Sequence, residues 1–270
     1  MTKIVSFLLC VAVMLGGTAA RADVLVLVHG YLGSAASWEV GGINEVLAAN
    51  GWQRAGVVAG GRFLPVPDSG RTKRVYSVEL PSLAPLLVQA DHLQGMLRQI
   101  AGLNPGHSLV IAAHSAGGVV ARVLLVRGGV PNAKALITIA SPHLGTLRAV
   151  QALDASDTPW PLCLVQNFFS NGAYRVVKES RGVLVDLAPA EPGSLLFWLN
   201  GQPHPDITYH SIVTTGPAGL GDELVPAFSQ DMNNVPALRG KSLVTPVAAS
   251  HGLNPQAGAA LVQALGSLGD

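Results

Sequence analysis

Cysteine is scarce: two residues in 270. Cys10 lies in an N-terminal apolar stretch and lacks a lipoprotein-type context. If that stretch is removed, Cys163 alone remains and no intramolecular disulfide can form. Its neighbours, Pro161-Leu162-Cys163-Leu164-Val165, make it a small buried apolar residue rather than a nucleophile. An intermolecular bridge is the other use open to it. Charge is scarce too, at 12% of residues, and the formal net charge is +1. No run of Lys or Arg is present. That excludes the electrostatic footprint expected of a nucleic-acid or anionic-membrane binder. Internal repeats and low-complexity tracts are lacking as well. What the chain has is apolar residues, 49% of the total. Such a composition is too hydrophobic for disorder and suits a buried sheet covered by helices.

The first 22 residues have the pattern of a secretory signal peptide. Lys3 gives a positive start, Ile4 to Leu15 is apolar apart from Ser6, and Ala20-Arg21-Ala22 supplies small residues at a peptidase site. Cleavage is expected after Ala22, with a secreted or periplasmic destination. The apolar stretch is short for a permanent membrane span. Removing Lys3 and Arg21 leaves 15 basic against 16 acidic residues, a mature charge of about −1.

Residues 23–270 are expected to form one α/β domain. Val24 to Val28 is continuously apolar and rich in β-branched residues, as strands buried on both faces are. It ends in the loop His29-Gly30-Tyr31-Leu32-Gly33-Ser34, and a helix follows to about Asn50-Gly51. Residues 56–74, rich in Gly, Pro and basic residues, are expected to be a surface excursion. Further strands are expected at Arg74 to Glu79, Ser108 to Ala113, Ala135 to Ala140, Ile207 to Thr214 and Ser242 to Val247. Helices are expected at Leu83 to Leu103, Ala116 to Arg127 and Pro255 to Leu268. Residues 147–200 lack strand character and are expected to be a helical cap or lid insertion. The alternation implies a mostly parallel sheet of about six strands with helices on both faces. In such sheets chemistry gathers at the carboxyl ends of the strands.

Ala113-His114-Ser115-Ala116-Gly117 stands between a strand and a helix, the context of a nucleophile elbow. The turn is tight and strained at the serine. The residues two before and two after it must be small, and they are Ala113 and Gly117. Ala113 stands where Gly is usual, but it still fits. The elbow places the Ala116 amide at a helix N-terminus, where it can stabilise a developing oxyanion. The second donor is assigned to the backbone N–H of Tyr31, with His29 supporting that loop.

The base must come from a loop at the same edge. Of eight histidines, His251 in Ala249-Ser250-His251-Gly252 follows the last strand and precedes the last helix, giving the chain order Ser, acid, His. His143, in Ser141-Pro142-His143-Leu144-Gly145, is its competitor. Asp222 is the candidate acid, after the fifth strand in Gly221-Asp222-Glu223-Leu224-Val225-Pro226. There it would orient the histidine and stabilise the imidazolium. Glu223 is its possible substitute, and Asp186 and Asp231 are weaker candidates. Leu32, His143 and Leu144 are candidate substrate contacts.

Taken together these motifs resemble the bacterial lipase and esterase branch of the α/β-hydrolases. The likeness is carried by His29 to Ser34, by Ala113-His114-Ser115 through Gly117-Gly118-Val119-Val120-Ala121-Arg122, by Ile139-Ala140-Ser141-Pro142-His143-Leu144-Gly145-Thr146, and by Asp222 to Pro226 followed by His251. Asp186-Leu187 to Leu199-Asn200 also looks like the stretch before the acid strand in these lipases. The resemblance implies cleavage of carboxylic esters, often lipids, through an acyl-enzyme. The substrate is then a small-molecule or lipid ester, with transient contact to a lipid interface possible, no nucleic-acid partner and no cofactor. Some relatives bind calcium near the histidine through aspartates. Gly252-Leu253-Asn254-Pro255 has none, so no metal is expected. The sheet looks short at its N-terminal edge, since the first strand already carries the oxyanion loop. Trp160, Phe168, Phe169, Tyr174, Phe197 and Trp198 in the insertion either line an acyl-binding lid or pack against one another. Two other functions remain open. One is an acyltransferase, amidase or thioesterase using the same site; the other is a non-catalytic binding protein on a hydrolase fold.

Overall fold

The computed structural model describes residues 24–67, 70, 72–130, 132–156 and 173–269. The expected signal segment lies outside them, as do Cys10, Cys163, Trp160, Phe168, Phe169 and the side chain of Tyr174. The strands are β1 (Val24–Val28), β2 (Gln53–Ala59), β3 (Arg62–Pro65), β4 (Arg74–Glu79), β5 (Leu109–His114), β6 (Ala133–Ile139), β7 (Thr208–Thr215) and β8 (Ser242–Ala248). The helices are α1 (Ser37–Val40), α2 (Ile43–Ala49), α3 (Leu86–Leu103), α4 (Ala116–Val126), α5 (Leu147–Ser156), α6 (Ala173–Glu179), α7 (Arg181–Asp186), α8 (Leu195–Gly201), α9 (Ala227–Gln230) and α10 (Pro255–Gly266).

One eight-stranded sheet runs in the order β3-β2-β4-β1-β5-β6-β7-β8. Every adjacent pair is parallel except β2 and β3. The sheet has two strands more than the six expected, and both lie in or next to the stretch taken for a surface excursion. β2 and β3 form a hairpin whose tight turn is Gly60-Gly61, both at positive φ. Gly and exposed basic residues mark an edge hairpin as readily as a loop, and β3 is almost wholly exposed. The hairpin also completes the edge that looked short, so β1 is interior, between β4 and β5.

Side chains of β1 alternate between two cores. Val24, Val26 and Val28 face one core with α3 and α4, while Leu25 and Leu27 face the other with α2 and α10. Strand β5 splits likewise, Leu109, Ile111 and Ala113 against Val110 and Ala112. Period-two alternation of apolar residues on both faces is what a sheet covered on both sides requires. Helices α5 to α8 form an insertion between β6 and β7. None of the described helices is long and apolar enough to cross a membrane.

Candidate active site

Strand β5 ends at His114 and α4 begins at Ala116, so Ser115 alone makes the turn. Its φ of 51° and ψ of −129° are rare for a residue with a side chain. Two bonds fix it there: its amide donates to the Ile139 carbonyl (2.9 Å), and its own carbonyl accepts from Gly118 (3.0 Å). Gly117 and Gly118 admit the close approach of the β1 loop and of Ser141, where added methyl groups would collide.

Ser115 Oγ lies 2.9 Å from Nε2 of His251. Nδ1 of His251 lies 3.0 Å from Oδ2 of Asp222. The structure thus joins the three expected residues in one chain of hydrogen bonds. Asp222 is enclosed, its side chain 0% exposed. Its Oδ2 also accepts from Thr214 Oγ1 (2.6 Å) and Gln230 Nε2 (3.2 Å), and its Oδ1 from the amides of Leu224 (2.8 Å) and Val225 (2.7 Å). Burial alone would raise the carboxyl pKa. The bond and charge of His251, with the Thr214 and Val225 donors, outweigh it and hold the group below its usual value. The carboxylate therefore stays ionised and fixes the proton of His251 on Nδ1, leaving Nε2 free to accept from the serine.

Glu223 has a different place from that of a substitute acid. Its carboxylate accepts from the backbone amide of His251, at 3.1 and 3.2 Å. His114 holds the same residue from the other side, its Nε2 2.9 Å from the His251 carbonyl. Asp186 accepts from the Leu86 amide at the start of α3, and burial raises its pKa against that bond. Asp231 caps a short 3₁₀ turn by accepting from the Asn233 amide.

His143 is a correction to the sequence reading. It is 0% exposed, and its Nε2 lies 3.2 Å from Thr138 Oγ1 of β6. Burial, then the charge of Arg122, holds its pKa well below the usual range. It presents no surface to a substrate and does not meet Ser115. Its loop cross-links the helix beside Asp222 instead. The His143 amide donates to the Ser229 carbonyl, the Leu144 amide to Ser229 Oγ, and Ser229 Oγ to the Gly145 carbonyl. Leu144 is half-buried and packs on the core. Ser229 and Gln230 share α9, so this loop braces the helix that grips Asp222. Thr146 Oγ1 and Arg148 Nε bind the carbonyls of Leu224 and Glu223 in the acid loop.

The loop after β1 abuts Ser115. A Cβ on Gly30 would lie 2.7 Å from Ser115 Cβ. His29 accepts from the Leu80 amide at Nε2 (2.9 Å), so its proton sits on Nδ1, which donates to the Gly30 carbonyl (3.0 Å). Burial lowers its pKa and keeps it neutral. Tyr31 anchors the loop through its hydroxyl, 2.7 Å from Ser180 Oγ in the insertion. Among the described residues neither the Tyr31 nor the Ala116 amide meets an acceptor. Both are available to an incoming oxygen. Leu32, at φ 57° and 60% exposed, lines a pocket of about 370 Å³ beside this loop. Among the described residues no group of three potential metal ligands gathers.

A sheet of this order, with a strained serine after β5 and an insertion after β6, can be set beside known proteins. This is the α/β-hydrolase fold. The lipase BlEst2 of Bacillus licheniformis, in its mature form, superposes with a TM-score of 0.64 at 15% identity, covering 93% of this chain and 94% of that one. The lin2722 product of Listeria innocua gives 0.54 at 13%, covering 85% and 87%. The metagenomic carboxyl esterase MGS0156 gives 0.50 at 15%, covering 86% and 65%. In sequence, a family model described as a PGAP1-like alpha/beta domain matches residues 84–156, which span α3 through α5. No curated protein matches the chain.

Sequence reasoning missed His114 as a clamp on His251, and it missed Thr214 and Gln230. The sequence does carry a signal for Thr214: it stands near the end of a strand whose following loop supplies Asp222.

Proposed function

We propose that this protein is a serine hydrolase of carboxylic esters, with Ser115 as nucleophile, His251 as general base and acid, and Asp222 as the orienting carboxylate. The observation that carries the reading is the continuous hydrogen-bonded chain from Ser115 Oγ through His251 to an enclosed, multiply bonded Asp222. Ser115 Oγ attacks the ester carbonyl while Nε2 of His251 takes its proton. The carbonyl electron pair moves to oxygen, which meets the amides of Tyr31 and Ala116. The pair returns, the bond to the alcohol oxygen breaks, and His251 delivers the proton to that oxygen. Water then repeats the sequence on the acyl-enzyme, releasing acid and free Ser115. Two proteins of the same fold are named a lipase and a carboxyl esterase, which supports an ester as the substrate.

The insertion is read as a cap over this edge of the sheet, presenting half-exposed Phe197 and Trp198. The first 22 residues are read as a cleaved export signal. Mass analysis of protein recovered from the native compartment should find an N-terminus at Asp23.

A fluorophosphonate probe followed by peptide mapping tests the central claim. Labelling is expected at Ser115 and should vanish in Ser115→Ala, together with turnover of p-nitrophenyl esters. Label at another residue, or label surviving the substitution, refutes the assignment. Labelling without turnover of any ester favours acyl transfer over hydrolysis.

A further inference from the structure

His114 has a second ring nitrogen that the arrangement above does not use. Its Nε2 faces the His251 carbonyl, and a carbonyl can only accept, so Nε2 carries the proton. Nδ1 is then a hydrogen-bond acceptor. Burial and the neighbouring His251 lower the ring's pKa to about 4, so the neutral form holds at neutral pH. Among the described residues the only hydrogen bond of the ring is the one at Nε2, and no donor meets Nδ1. His114 lines a pocket of about 370 Å³ together with Gly30, the residue whose backbone abuts Ser115. Within a mostly apolar lining that includes Leu32, Val40 and Leu253, hydroxyls are offered by Ser34 and Ser37.

The chemistry says which half of an ester belongs there. His251 must return its proton to the departing oxygen, so the alcohol leaves on the His251 side. Gly252 and Leu253, which follow His251 directly, wall this pocket. We propose that the pocket seats the alcohol half of the ester, and that His114 Nδ1 accepts a hydrogen bond from a free hydroxyl on it. The substrate class is then a partial ester of a polyol, the simplest being a glycerol monoester. The inference rests on Ser115 being the nucleophile. The bond changes are those already given, and the hydroxyl held by His114 keeps its proton throughout.

Two butyrate esters test this, because an identical acyl half cancels from their comparison. The kcat/KM for glycerol 1-monobutyrate is expected to exceed that for propyl butyrate about tenfold, the effect of one net hydrogen bond at the upper end of its usual range. In His114→Leu the ratio should fall to near one, since any general loss lowers both rates alike. His114→Gln, which offers both a donor and an acceptor, should restore part of it. Should the Leu variant not fold, wild-type partitioning serves instead. Glycerol should intercept the butyryl-enzyme about tenfold better than 1-propanol at equal concentration. A wild-type ratio near one, or a preference that survives in His114→Leu, overturns the proposal. Turnover of neither ester also overturns it, and fluorophosphonate labelling of Ser115 then shows whether the nucleophile assignment fails with it.

Discussion

Adding one methyl group at Gly30 should disable the site while leaving the fold intact. The Cβ of an alanine there would lie 2.7 Å from Ser115 Cβ, 2.9 Å from the His114 carbonyl oxygen and 3.3 Å from Ser115 Oγ. Carbon atoms in contact rest at about 3.5–4.0 Å, so the loop or the serine must move by about 1 Å. Neither moves alone. Ser115 is held by the Ile139 carbonyl, and the loop is tied through His29 to Leu80 and through Tyr31 to Ser180. A displacement of this size costs about 100-fold in rate when it misaligns nucleophile and oxyanion donors. The stability cost of such overpacking is about 1–3 kcal/mol, offset by a few tenths from a stiffer unfolded chain.

The expected result for Gly30→Ala is a fall of about 100-fold in kcat/KM for p-nitrophenyl butyrate, with a parallel fall in the rate of fluorophosphonate labelling. Cooperative thermal unfolding should be retained. Gly95→Ala is the matched control. That glycine lies in the exposed face of α3 with nothing within 4 Å of the new methyl group. It should gain about 1 kcal/mol from helix propensity and lose no activity. If Gly30→Ala keeps kcat/KM within threefold of wild type, the close approach of the β1 loop to Ser115 is not a working contact.

Two other predictions concern stability. Gln230, 1% exposed, accepts from the Thr214 amide and donates to the Thr214 and Val225 carbonyls as well as to Asp222. Gln230→Leu strands those backbone groups, so urea unfolding should report a loss of about 3 kcal/mol, with kcat reduced at least tenfold; a loss under 1 kcal/mol would show that the clamp is dispensable. Acid should destabilise the fold early. Burial lowers the pKa of His29, His114, His143, His204 and His210 in the folded protein. Between the unfolded value near 6.5 and the folded values, the unfolded chain binds protons that the folded chain does not. Stability therefore falls as pH drops, by about 1.4 kcal/mol per pH unit for each such histidine. Asp222, depressed when folded, adds the same sign below its ordinary value, while Asp186, raised, opposes it. The urea midpoint should be lower at pH 5 than at pH 7.5, and equal midpoints contradict the buried neutral state of these rings.

What was legible in the sequence is what chain order encodes. Ser115, Asp222 and His251 each follow a strand of a parallel sheet, and parallel strands bring such loops to one edge whatever lies between. The β2–β3 hairpin was not legible, because β3 is short and exposed, β2 carries Gln53, Arg54 and Gly56 among its apolar residues, and paired glycines separate the two. They lack the apolar run that marks β1 and β5. His143 misled for a related reason. Chain position placed it at the correct edge, but its ring turns to Thr138 and its backbone is tied to Ser229 of α9, more than eighty residues away.

The parts that chain order left unread are those that hold the chemistry in place. Asp222 is fixed by Thr214, before it in β7, and by Gln230, after it in α9. That helix is fixed in turn by the loop after β6. His251 is gripped at its amide by Glu223 and at its carbonyl by His114. Each of these bonds joins a side chain to a partner that only the folded sheet brings near, and several partners are backbone atoms with no residue identity to read. Such groups tune a site by fixing rotamers and tautomers rather than by reacting. His114 stands apart among them. It is adjacent in sequence to Ser115, bonded to the residue read as the base, and part of the lining of the pocket proposed for the departing alcohol. Positioning of His251 and choice of substrate therefore meet in one imidazole. A change at 114 should shift both the rate and the preference between alcohols, whereas a change at Gln230 should shift the rate alone.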